Sequence, residues 1–520
     1  MEHHRLGPGK VAFDACLRPS GAGINRFVRA CVRGYICDAL PRKLEIPIRP
    51  GAGLIAEGTM KQALVALAVP LLLAASLYAS TSPDTADAFA GDVRLHLTHV
   101  DAGKQMSRRE LIRRAMQRSK ARAAALSVAR SGSGRVPGKS AQQGEQHQQP
   151  GVPVRPSGDL EYLIDLAIGT PPQPVSALLD TGSDLIWTQC APCASCLAQP
   201  DPLFAPAASS SYVPMRCSGQ LCNDILHHSC QRPDTCTYRY NYGDGTTTLG
   251  VYATERFTFA SSSGEKLSVP LGFGCGTMNV GSLNNGSGIV GFGRDPLSLV
   301  SQLSIRRFSY CLTPYTSTRK STLMFGSLSD GVFEGDDAAI GQVQTTRLLQ
   351  SRQNPTFYYV PFTGVTVGTR RLRIPLSAFA LRPDGSGGVI VDSGTALTLF
   401  PAAVLTEVLR AFRAQLRLPF TSSSSPDDGV CFATPMAAGG RRASAATVVS
   451  VPRMAFHFQG ADLELPRRNY VLDDPRRGSL CILLADSGDS GATIGNFVQQ
   501  DMRVLYDLEA ETLSFAPAQC

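Results

Sequence analysis

The sequence has 520 residues, 43% of them hydrophobic and 18% charged, which suffices for two or three folded domains and excludes a wholly disordered chain. The 49 glycines and 35 prolines indicate frequent turns, which favours an all-β protein. The formal net charge is +8, yet residues 1–150 hold 22 basic and 11 acidic side chains, whereas residues 151–520 hold 28 and 31. The large C-terminal part is therefore slightly acidic, which argues against a nucleic-acid-binding body.

The first 90 residues predict targeting rather than a folded domain. Residues 1–59 show no clear periodicity, and we interpret them as an upstream extension that reflects either a mis-assigned start or an organelle-targeting stretch. Residues 60–90 begin at Met60 and contain the apolar run Ala63–Ala79 followed by small residues, which is typical of a secretory signal peptide. The run is shorter than the ~20 apolar residues that span a bilayer and contains Pro70, so no stable membrane anchor is predicted.

A basic segment and a linker follow at residues 91–158. Residues 91–150 hold 12 basic and four acidic side chains. Ser107 and Glu110 have the spacing of a capping box, which predicts the start of a helix. The apolar residues behind them recur at helical spacing: Leu111, Ile112, Ala115 and Met116. The segment ends in a polar, glutamine-rich tract that resembles a linker. It is either a solvated helix without a role or a pro-segment whose positive charge docks on an acidic site.

A short motif occurs twice in the remaining chain. Asp180–Ser183 (DTGS) follows an apolar strand, and Asp392–Thr395 (DSGT) follows another. Each motif is also matched by a downstream glycine: Gly291, in Ile289–Gly291, lies 111 residues after the first aspartate, and Gly495, in Thr493–Gly495, lies 103 residues after the second. Because a single such turn is common but two matched copies are not, the pattern indicates an internal duplication with one carboxylate in each half.

The duplication has a chemical interpretation. If the two halves meet about a pseudo-twofold axis, Asp180 and Asp392 face each other and share one proton over a wide pH range. The ionised carboxylate can then deprotonate a water molecule while the protonated one polarises a carbonyl group. Hydrogen bonds from Ser183 and Thr395 fix the carboxylates. The supporting residues are Thr181, Gly182, Ser183, Ser393, Gly394 and Thr395.

From about residue 159 to residue 520 the sequence resembles the pepsin-like aspartic proteases, in particular the plant nepenthesin-like branch. The resemblance implies an all-β, bilobal fold with two pseudo-twofold-related lobes, at residues 159–350 and 356–520, around a central cleft. It further implies an endopeptidase active at acid pH, made as a zymogen, without cofactor or metal. The implied partners are protein or peptide substrates and the chain's own pro-segment; the expected state is a monomer that binds no nucleic acid.

The segment "YGDGTTTLG" matches the flap hairpin of that family, which implies that the tyrosine closes over substrate. Trp187, the only tryptophan, stands where the family keeps an aromatic residue behind this tyrosine. Ordinary core packing is the alternative for both aromatic residues. The flap residues implied are Tyr242, Gly243, Asp244 and Gly245.

Twelve of the 15 cysteines lie between Cys190 and Cys520, and seven of them crowd into a Cys-rich insertion at residues 190–236. An even number behind a signal peptide predicts disulfides, although the sequence leaves their connectivity open. Zinc bound by the clustered cysteines with His227 and His228 is the alternative. The family pattern implies the pairs Cys190–Cys193, Cys196–Cys275, Cys217–Cys236, Cys222–Cys230, Cys311–Cys520 and Cys431–Cys481.

Two other functions stay open from the sequence. Some plant relatives with this fold lack a catalytic aspartate and bind other enzymes, so a catalytically silent binder or inhibitor is the main alternative. Plastid relatives bind DNA, but the body is acidic, and its small basic cluster at Arg370, Arg371 and Arg373 is interpreted as a solvated strand. Asn285 begins an N-x-[ST] sequon and predicts a glycan. The expected location is the secretory pathway and the extracellular space, with vacuole or plastid as alternatives.

Overall fold

The computed structural model describes residues 13–20, 23–30, 93–100, 107–130, 161–260, 266–283, 285–326, 329–334, 340–421, 430–434, 449–474, 478–488 and 490–520. The chain divides into two compact units, Met1–Ala86 and Asp87–Cys520. In the first unit, strands β1 (Phe13–Ser20) and β2 (Gly23–Ala30) form an antiparallel pair. The predicted signal peptide at residues 60–90 and the glutamine-rich linker lie outside the described residues.

The second unit consists mostly of short strands. Its first strands are β3 (Val93–His99), β4 (Tyr162–Ile168), β5 (Gln173–Asp180), β6 (Trp187–Gln189), β7 (Val213–Pro214), β8 (His228–Gln231), β9 (Thr235–Asn241), β10 (Thr247–Ala260), β11 (Lys266–Val280), β12 (Gly288–Gly291), β13 (Arg307–Cys311), β14 (Ser321–Phe325) and β15 (Gln344–Arg347). The later strands are β16 (Phe362–Val367), β17 (Arg370–Arg371), β18 (Val389–Val391), β19 (Thr398–Phe400), β20 (Phe420–Thr421), β21 (Val430–Ala433), β22 (Met454–Phe458), β23 (Ala461–Leu465), β24 (Val471–Asp474), β25 (Ser479–Ile482), β26 (Leu484–Asp486), β27 (Ala492–Ile494), β28 (Met502–Asp507) and β29 (Thr512–Pro517). The α-helices are α1 (Arg108–Arg130), α2 (Gln220–Asn223), α3 (Leu299–Gln302) and α4 (Ala402–Leu416), and 3₁₀ turns lie at Pro206–Ala208, Leu376–Ala378, Arg467–Asn469 and Asn496–Gln499.

The predicted all-β, bilobal pepsin-like architecture is confirmed. Strands β3–β15 form one large sheet, which β28 and β29 join from the C-terminal end of the chain, and the other C-terminal strands form three four-stranded sheets. The large sheet thus crosses between the lobes: β28 pairs with β13, and β29 pairs with β15. One continuous hydrophobic core extends through both lobes.

The predicted duplication is visible in the strand pairing. In the first lobe β5 pairs in parallel with β12, placing Asp180 opposite Gly291, and β12 pairs antiparallel with β6. In the second lobe β18 pairs in parallel with β27, and β27 pairs antiparallel with β19. In each lobe a central strand therefore leads into the aspartate motif and pairs in parallel with the strand that contains or directly precedes the downstream glycine.

The predicted basic helix is α1. The Ser107 hydroxyl oxygen accepts a hydrogen bond of 3.2 Å from the Glu110 amide, as a helix cap does. The residues spaced at helical intervals form its buried face, with Ile112, Ala115 and Met116 at most 1% exposed. They pack on an apolar surface of the second lobe that includes Leu397, Leu399 and Phe497. Burial of this stripe explains why a strongly charged sequence forms an ordered helix here.

Six disulfides link the twelve cysteines of the body. Cys311–Cys520 and Cys431–Cys481 are paired as expected. The other four expected pairs are wrong: the structure instead pairs Cys190–Cys275, Cys193–Cys196, Cys217–Cys230 and Cys222–Cys236. Because all these sulfurs are in disulfides, the described residues offer no thiolate cluster for the alternative zinc site.

The strand register and burial explain the corrected pairs. The amide of Cys190 donates to the Gly276 carbonyl at 2.9 Å, so its side chain lies beside Cys275. Cys222 and Cys236 are both fully buried in the same small core cluster. Cys217 is partly buried and Cys230 is exposed, and these two form a disulfide near the surface. Sequence spacing does not contain this inside–outside division.

Candidate active site

The two aspartate motifs meet inside the second unit. Asp180 is 2% exposed and Asp392 fully buried. The hydroxyls of Ser183 and Thr395 each donate a 2.5 Å hydrogen bond to the outer oxygen, Oδ2, of the aspartate in their own motif. The inner oxygens, Oδ1, accept amide hydrogen bonds within their own motifs, from Gly182 at 3.0 Å and from the corresponding glycine at 2.8 Å. The two carboxylates therefore have matching hydrogen-bond partners.

The second residues of the motifs lock the two halves together. The Thr181 amide donates to the Ser393 hydroxyl at 3.0 Å, and the Ser393 amide donates to the Thr181 hydroxyl at 2.9 Å. The Ser393 hydroxyl donates onward to the Leu179 carbonyl at 3.0 Å. These reciprocal bonds are buried, so they fix the distance between the two aspartate turns.

Glycine is required at the third position of each motif because the carboxylate of the other motif lies against it. A Cβ atom at Gly182 would lie 2.7 Å from Oδ1 of Asp392, and one at Gly394 would collide with Oδ1 of Asp180. Any larger residue would push the two turns apart. The supporting residues predicted from the sequence are thus all brought together around the aspartates.

A basic side chain from α1 lies between the two carboxylates. Nη2 of Arg122 donates to Oδ1 of Asp180 at 2.6 Å and to Oδ1 of Asp392 at 3.3 Å, and its Nε donates to Oδ2 of Asp392 at 2.9 Å. Burial alone would lower the pKa of the Arg122 guanidinium, but both carboxylates raise it well above its ordinary value. Arg122 therefore stays charged and bridges the inner oxygens.

The same contact affects the carboxyls. Burial raises the pKa of Asp392 above its ordinary value; Arg122 opposes the rise and Asp180 adds to it. The effect of burial on the pKa of Asp392 thus outweighs that of the guanidinium, which favours the ionised form.

A second arginine lies one turn earlier on α1. Arg118 is 7% exposed, and its Nε lies 3.7 Å from the Glu161 carboxylate. Burial raises the pKa of Glu161 to about 7, against the opposing effect of Arg118, and the flap residue Asp244 adds to the rise. The helix thus inserts two buried cations into an acidic region of the body.

The predicted flap is the turn between β9 and β10. The Tyr242 amide donates to the Thr246 carbonyl at 2.7 Å, and Gly245 has a φ of +88° that favours glycine. A Cβ atom at Gly243 would lie 3.0 Å from the Arg122 carbonyl, so the flap rests on α1. The rings of Tyr242 and Trp187 lie 6.3 Å apart in the core cluster of the first lobe. Burial, helped by Tyr240 and Asp180, raises the pKa of Tyr242, which keeps its hydroxyl neutral.

A third buried carboxyl joins the two lobes. Asp184 accepts a hydrogen bond from the Thr356 hydroxyl at 2.7 Å and one from the Asp295 amide at 3.0 Å. It is 4% exposed, and burial raises its pKa to about 7. Thr356 lies 172 residues after Asp184 in the sequence, so this carboxyl connects the first aspartate turn to a distant segment of the chain.

Two other predicted features lie away from the aspartates. Arg370, Arg371 and Arg373 are exposed on the second lobe, which fits the solvated strand expected there. Asn285 is half-buried, and its side-chain nitrogen donates to the Val100 carbonyl at 3.2 Å. The nitrogen to which a glycan would attach is thus engaged by the segment that follows β3.

Two family models match the body of the chain: residues 162–327 match the one described as "Xylanase inhibitor N-terminal", and residues 357–517 match "Xylanase inhibitor C-terminal". Aspartic proteinase nepenthesin-2 of Nepenthes gracilis is 42% identical over 431 residues, covering 82% of this chain and 90% of that protein. The chain belongs to the plant nepenthesin-like aspartic protease family. Nepenthesin-1 of the same species is 41% identical over 430 residues, with the same two shares covered.

A further relative agrees with this membership, and a solved structure shares the fold. Aspartyl protease 37 of Oryza sativa subsp. japonica is 33% identical over 487 residues, covering 86% of this chain and 97% of that protein. Basic 7S globulin from soybean shares the fold with a TM-score of 0.53 at 19% identity, covering 69% of this chain and 93% of its own. The nepenthesin-like chain is an aspartic endopeptidase, which hydrolyses peptide bonds in proteins or peptides. Among the described residues, no helix is long and apolar enough to cross a membrane.

Sequence analysis missed Arg118, Arg122, Glu161 and Asp184. A signal for the two arginines exists: they lie four residues apart and fall into the apolar stripe of α1, three and seven residues after Ala115. A cation at a buried helical position needs an acidic partner in the body. Nothing comparable marks Glu161 or Asp184, because their burial depends on contacts with α1 and with Thr356.

Replacing Asp184 with asparagine should flatten the pH dependence of stability. The folded pKa of about 7 exceeds the ordinary value, so the unfolded chain loses this proton first and stability falls as pH rises from about 4 to 7, by about 1.4 kcal/mol for each pKa unit. Asparagine does not titrate, so the variant should lose less stability over this range. Urea midpoints at pH 4, 5.5 and 7, followed by Trp187 fluorescence in an Asp180→Asn background that prevents self-digestion, measure the effect.

Asp165→Asn is the matched control, because that side chain is exposed on β4. It should keep the pH dependence of the unmodified background. Equal pH slopes for the Asp184 and Asp165 variants would show that Asp184 ionises normally in the folded protein.

Proposed function

We propose that this endopeptidase works at acid pH through the paired carboxylates of Asp180 and Asp392 and is made as a zymogen held inactive by α1. The observation that carries the proposal is the position of Arg122 between two carboxylates with matching hydrogen bonds. A pair of facing carboxyls is a general acid–base device, and a buried cation between them removes the shared proton on which the device depends.

In the active state Arg122 is withdrawn and the pair binds one proton. The ionised carboxylate takes a proton from a water molecule held between the inner oxygens, and the water oxygen attacks the scissile carbonyl carbon. The protonated carboxyl gives its proton to the carbonyl oxygen, which yields a tetrahedral diol. The carboxyl that took the water proton then protonates the amide nitrogen, and the C–N bond breaks as the other carboxylate takes back a proton from one diol hydroxyl. The bonds to Ser183 and Thr395 hold both carboxylates while charge moves between them.

The flap completes the site. Tyr242 is buried, neutral and close to Trp187, so it can close over a bound peptide as a rigid wall with one hydroxyl donor. Asp244 and the two glycines around it form the turn that contacts α1 in the zymogen and contacts substrate after the helix leaves.

The zymogen state rests on the fit of α1 to the body. Its apolar face covers the second-lobe surface, Arg118 lies against Glu161, and Arg122 occupies the place of the water. Activation then means cleavage after α1, in the linker that precedes Glu161. We further propose a secreted, extracellular monomer that binds no nucleic acid: six disulfides suit an oxidising compartment, and the body carries a slight net negative charge.

The test is hydrolysis of an acid-denatured protein by the full chain, folded with its disulfides and incubated across pH 2–8. We expect no cleavage at neutral pH and cleavage below about pH 5, where a carboxyl pair can hold its shared proton. A peptide analogue with a hydroxyl in place of the scissile carbonyl should inhibit it fully, because that hydroxyl occupies the position of the water. Cleavage that is insensitive to this analogue would exclude the paired-carboxylate mechanism.

A silent binder is the alternative function, and the match to models named for xylanase inhibitors is the observation in its favour. A correctly folded, processed protein that cleaves nothing at any pH would support it. Both aspartate motifs and the flap tyrosine are present in this chain, which favours the enzyme.

A further inference from the structure

One strand of the pro-segment is built into the body. Strand β3 lies between β14 and β4 and pairs antiparallel with both. We propose that β3 remains in the sheet of the activated enzyme as a noncovalently bound second chain. This inference rests on the proposed function, since it concerns the same activation, and it identifies the slot between β14 and β4 as a binding surface for Val93–Val100.

The backbone contacts of β3 are extensive. Its residues pair with five positions of β14 and with three positions of β4. The next residue extends the pairing, since the Val100 amide donates to the Glu161 carbonyl at 3.0 Å. The Val100 carbonyl accepts from the Asn285 side chain. Removing β3 would leave two facing strand edges without partners inside the sheet, which is costly for backbone polar groups.

One face of β3 belongs to the main hydrophobic core. Val93 and Leu97 are fully buried and Leu95 is 3% exposed, all three within the core cluster that runs through both lobes. Arg94 and His96 point to the other face and are exposed. Removing the strand would therefore open a cavity in the core. Withdrawing α1 mainly separates its charged side chains from the dyad and exposes a small apolar surface.

The chain offers no good replacement for β3. After cleavage, the segment that could fold back into the slot is the one directly before Glu161, which contains Pro153 and Pro156. In a strand with two neighbours, alternate amides point to alternate sides. Because these prolines are three residues apart, one would face β14 and the other β4 in any register. Each would remove a hydrogen-bond donor wherever the strand that it faces is paired, although Val152 and Val154 could fill the apolar face.

The composition of the activated enzyme tests the proposal directly. The full chain is activated by acid, passed over a sizing column without denaturant, and analysed by mass spectrometry after denaturation. We expect a peptide that contains Val93–Val100 in one-to-one ratio with the body; its mass shows whether it ends before or after α1. A folded body that begins between residues 131 and 161 and carries no such peptide would overturn the proposal.

A second arm works even if the chain never activates itself. An Asp180→Asn full chain with an added protease's recognition sequence inserted at residues 142–149 is nicked by that protease and then acidified. The β3-containing fragment should again elute with the body, and its loss would count against the proposal. Because this arm needs no peptidase activity of the chain, failure of the proposed function and failure of β3 retention give different results.

Stability gives an independent readout. If β3 dissociates on activation, a substitution within it cannot alter the activated enzyme. Leu97→Ala would then give an activated enzyme identical to the unmodified one. If β3 stays, Leu97→Ala should lower the Tm of the activated enzyme by about 5 °C, while the exposed control His96→Ala should not. Leu97→Val replaces Leu97→Ala if the alanine zymogen does not fold. Equal Tm values for all activated forms would overturn the proposal.

Discussion

Replacing either aspartate of the pair with asparagine should reduce kcat for peptide hydrolysis by about 10³-fold or more, the scale of a lost general acid–base group. An amide cannot take the proton of the attacking water, and it cannot hold the proton that the pair shares. The local structure should survive, because an asparagine oxygen can still accept the hydroxyl bond that Ser183 or Thr395 donates. The loss should therefore appear in kcat and not in folding.

The measurement needs enzyme that is processed independently of its own activity. The Asp180→Asn and Asp392→Asn chains are nicked by an added protease in the linker, acidified, and assayed on a peptide substrate. Asp486→Asn, an exposed carboxyl on β26 of the second lobe, is the matched control and should keep full activity. Retention of more than a tenth of the activity in either dyad variant, with unchanged Tm, would contradict the paired-carboxylate mechanism.

The sequence predicts the features that are local and repeated. The DTGS and DSGT motifs, their preceding strands and their downstream glycines are all fixed by neighbours in the chain, so the duplication and the placement of Asp180 and Asp392 could be predicted. The start of α1 could be predicted for the same reason, since the Ser107 cap and the apolar stripe lie within one turn of each other.

Contacts between distant segments could not be predicted. Four disulfide pairs were wrong because the choice between Cys193 and Cys275 as partner of Cys190 depends on how β6 and β11 pair across the first lobe. The strand character of Val93–His99 depends on β14 and β4 as partners. The buried position of Asp184 depends on Thr356. In each case the deciding interaction joins residues far apart in sequence.

The basic segment at residues 91–150 contains both local features and distant contacts. Its net charge predicts docking on an acidic site, but it contains 12 basic residues between positions 91 and 150. Only packing of the helix stripe selects Arg122 as the one that reaches the dyad. Arg113 and Arg114 instead pair with Glu110 of the same helix.

Replacing Arg122 with glutamine should therefore make the zymogen process itself at higher pH. In the zymogen both carboxylates face one cation; Arg122 lowers the pKa of Asp392 relative to the same buried pair without it. Release of the helix thus accompanies proton uptake, and acid favours release. Glutamine keeps the length of the side chain but removes the charge, so the docked pair can hold its shared proton at higher pH. We expect the pH of half-maximal self-cleavage to rise by about 1 unit or more, the scale of one lost charge contact.

Glu161 titrates in the opposite sense, so it cannot be the group that triggers release of α1 in acid. Its pKa of about 7 in the docked state exceeds the ordinary value to which it would return when α1 leaves, so protonation of Glu161 favours docking and opposes acid release. Protonation of the Asp180/Asp392 pair must then drive the release of α1 in acid, and the Arg122 variant tests this. Self-cleavage of the full chain is followed on gels between pH 4 and 7, with Arg113→Gln as the matched control, because this half-exposed side chain pairs with Glu110 of the same helix. If Arg122→Gln and Arg113→Gln show the same pH midpoint as the unmodified chain, the bridge between Asp180 and Asp392 does not hold the zymogen inactive, and the helix inhibits through its apolar face alone.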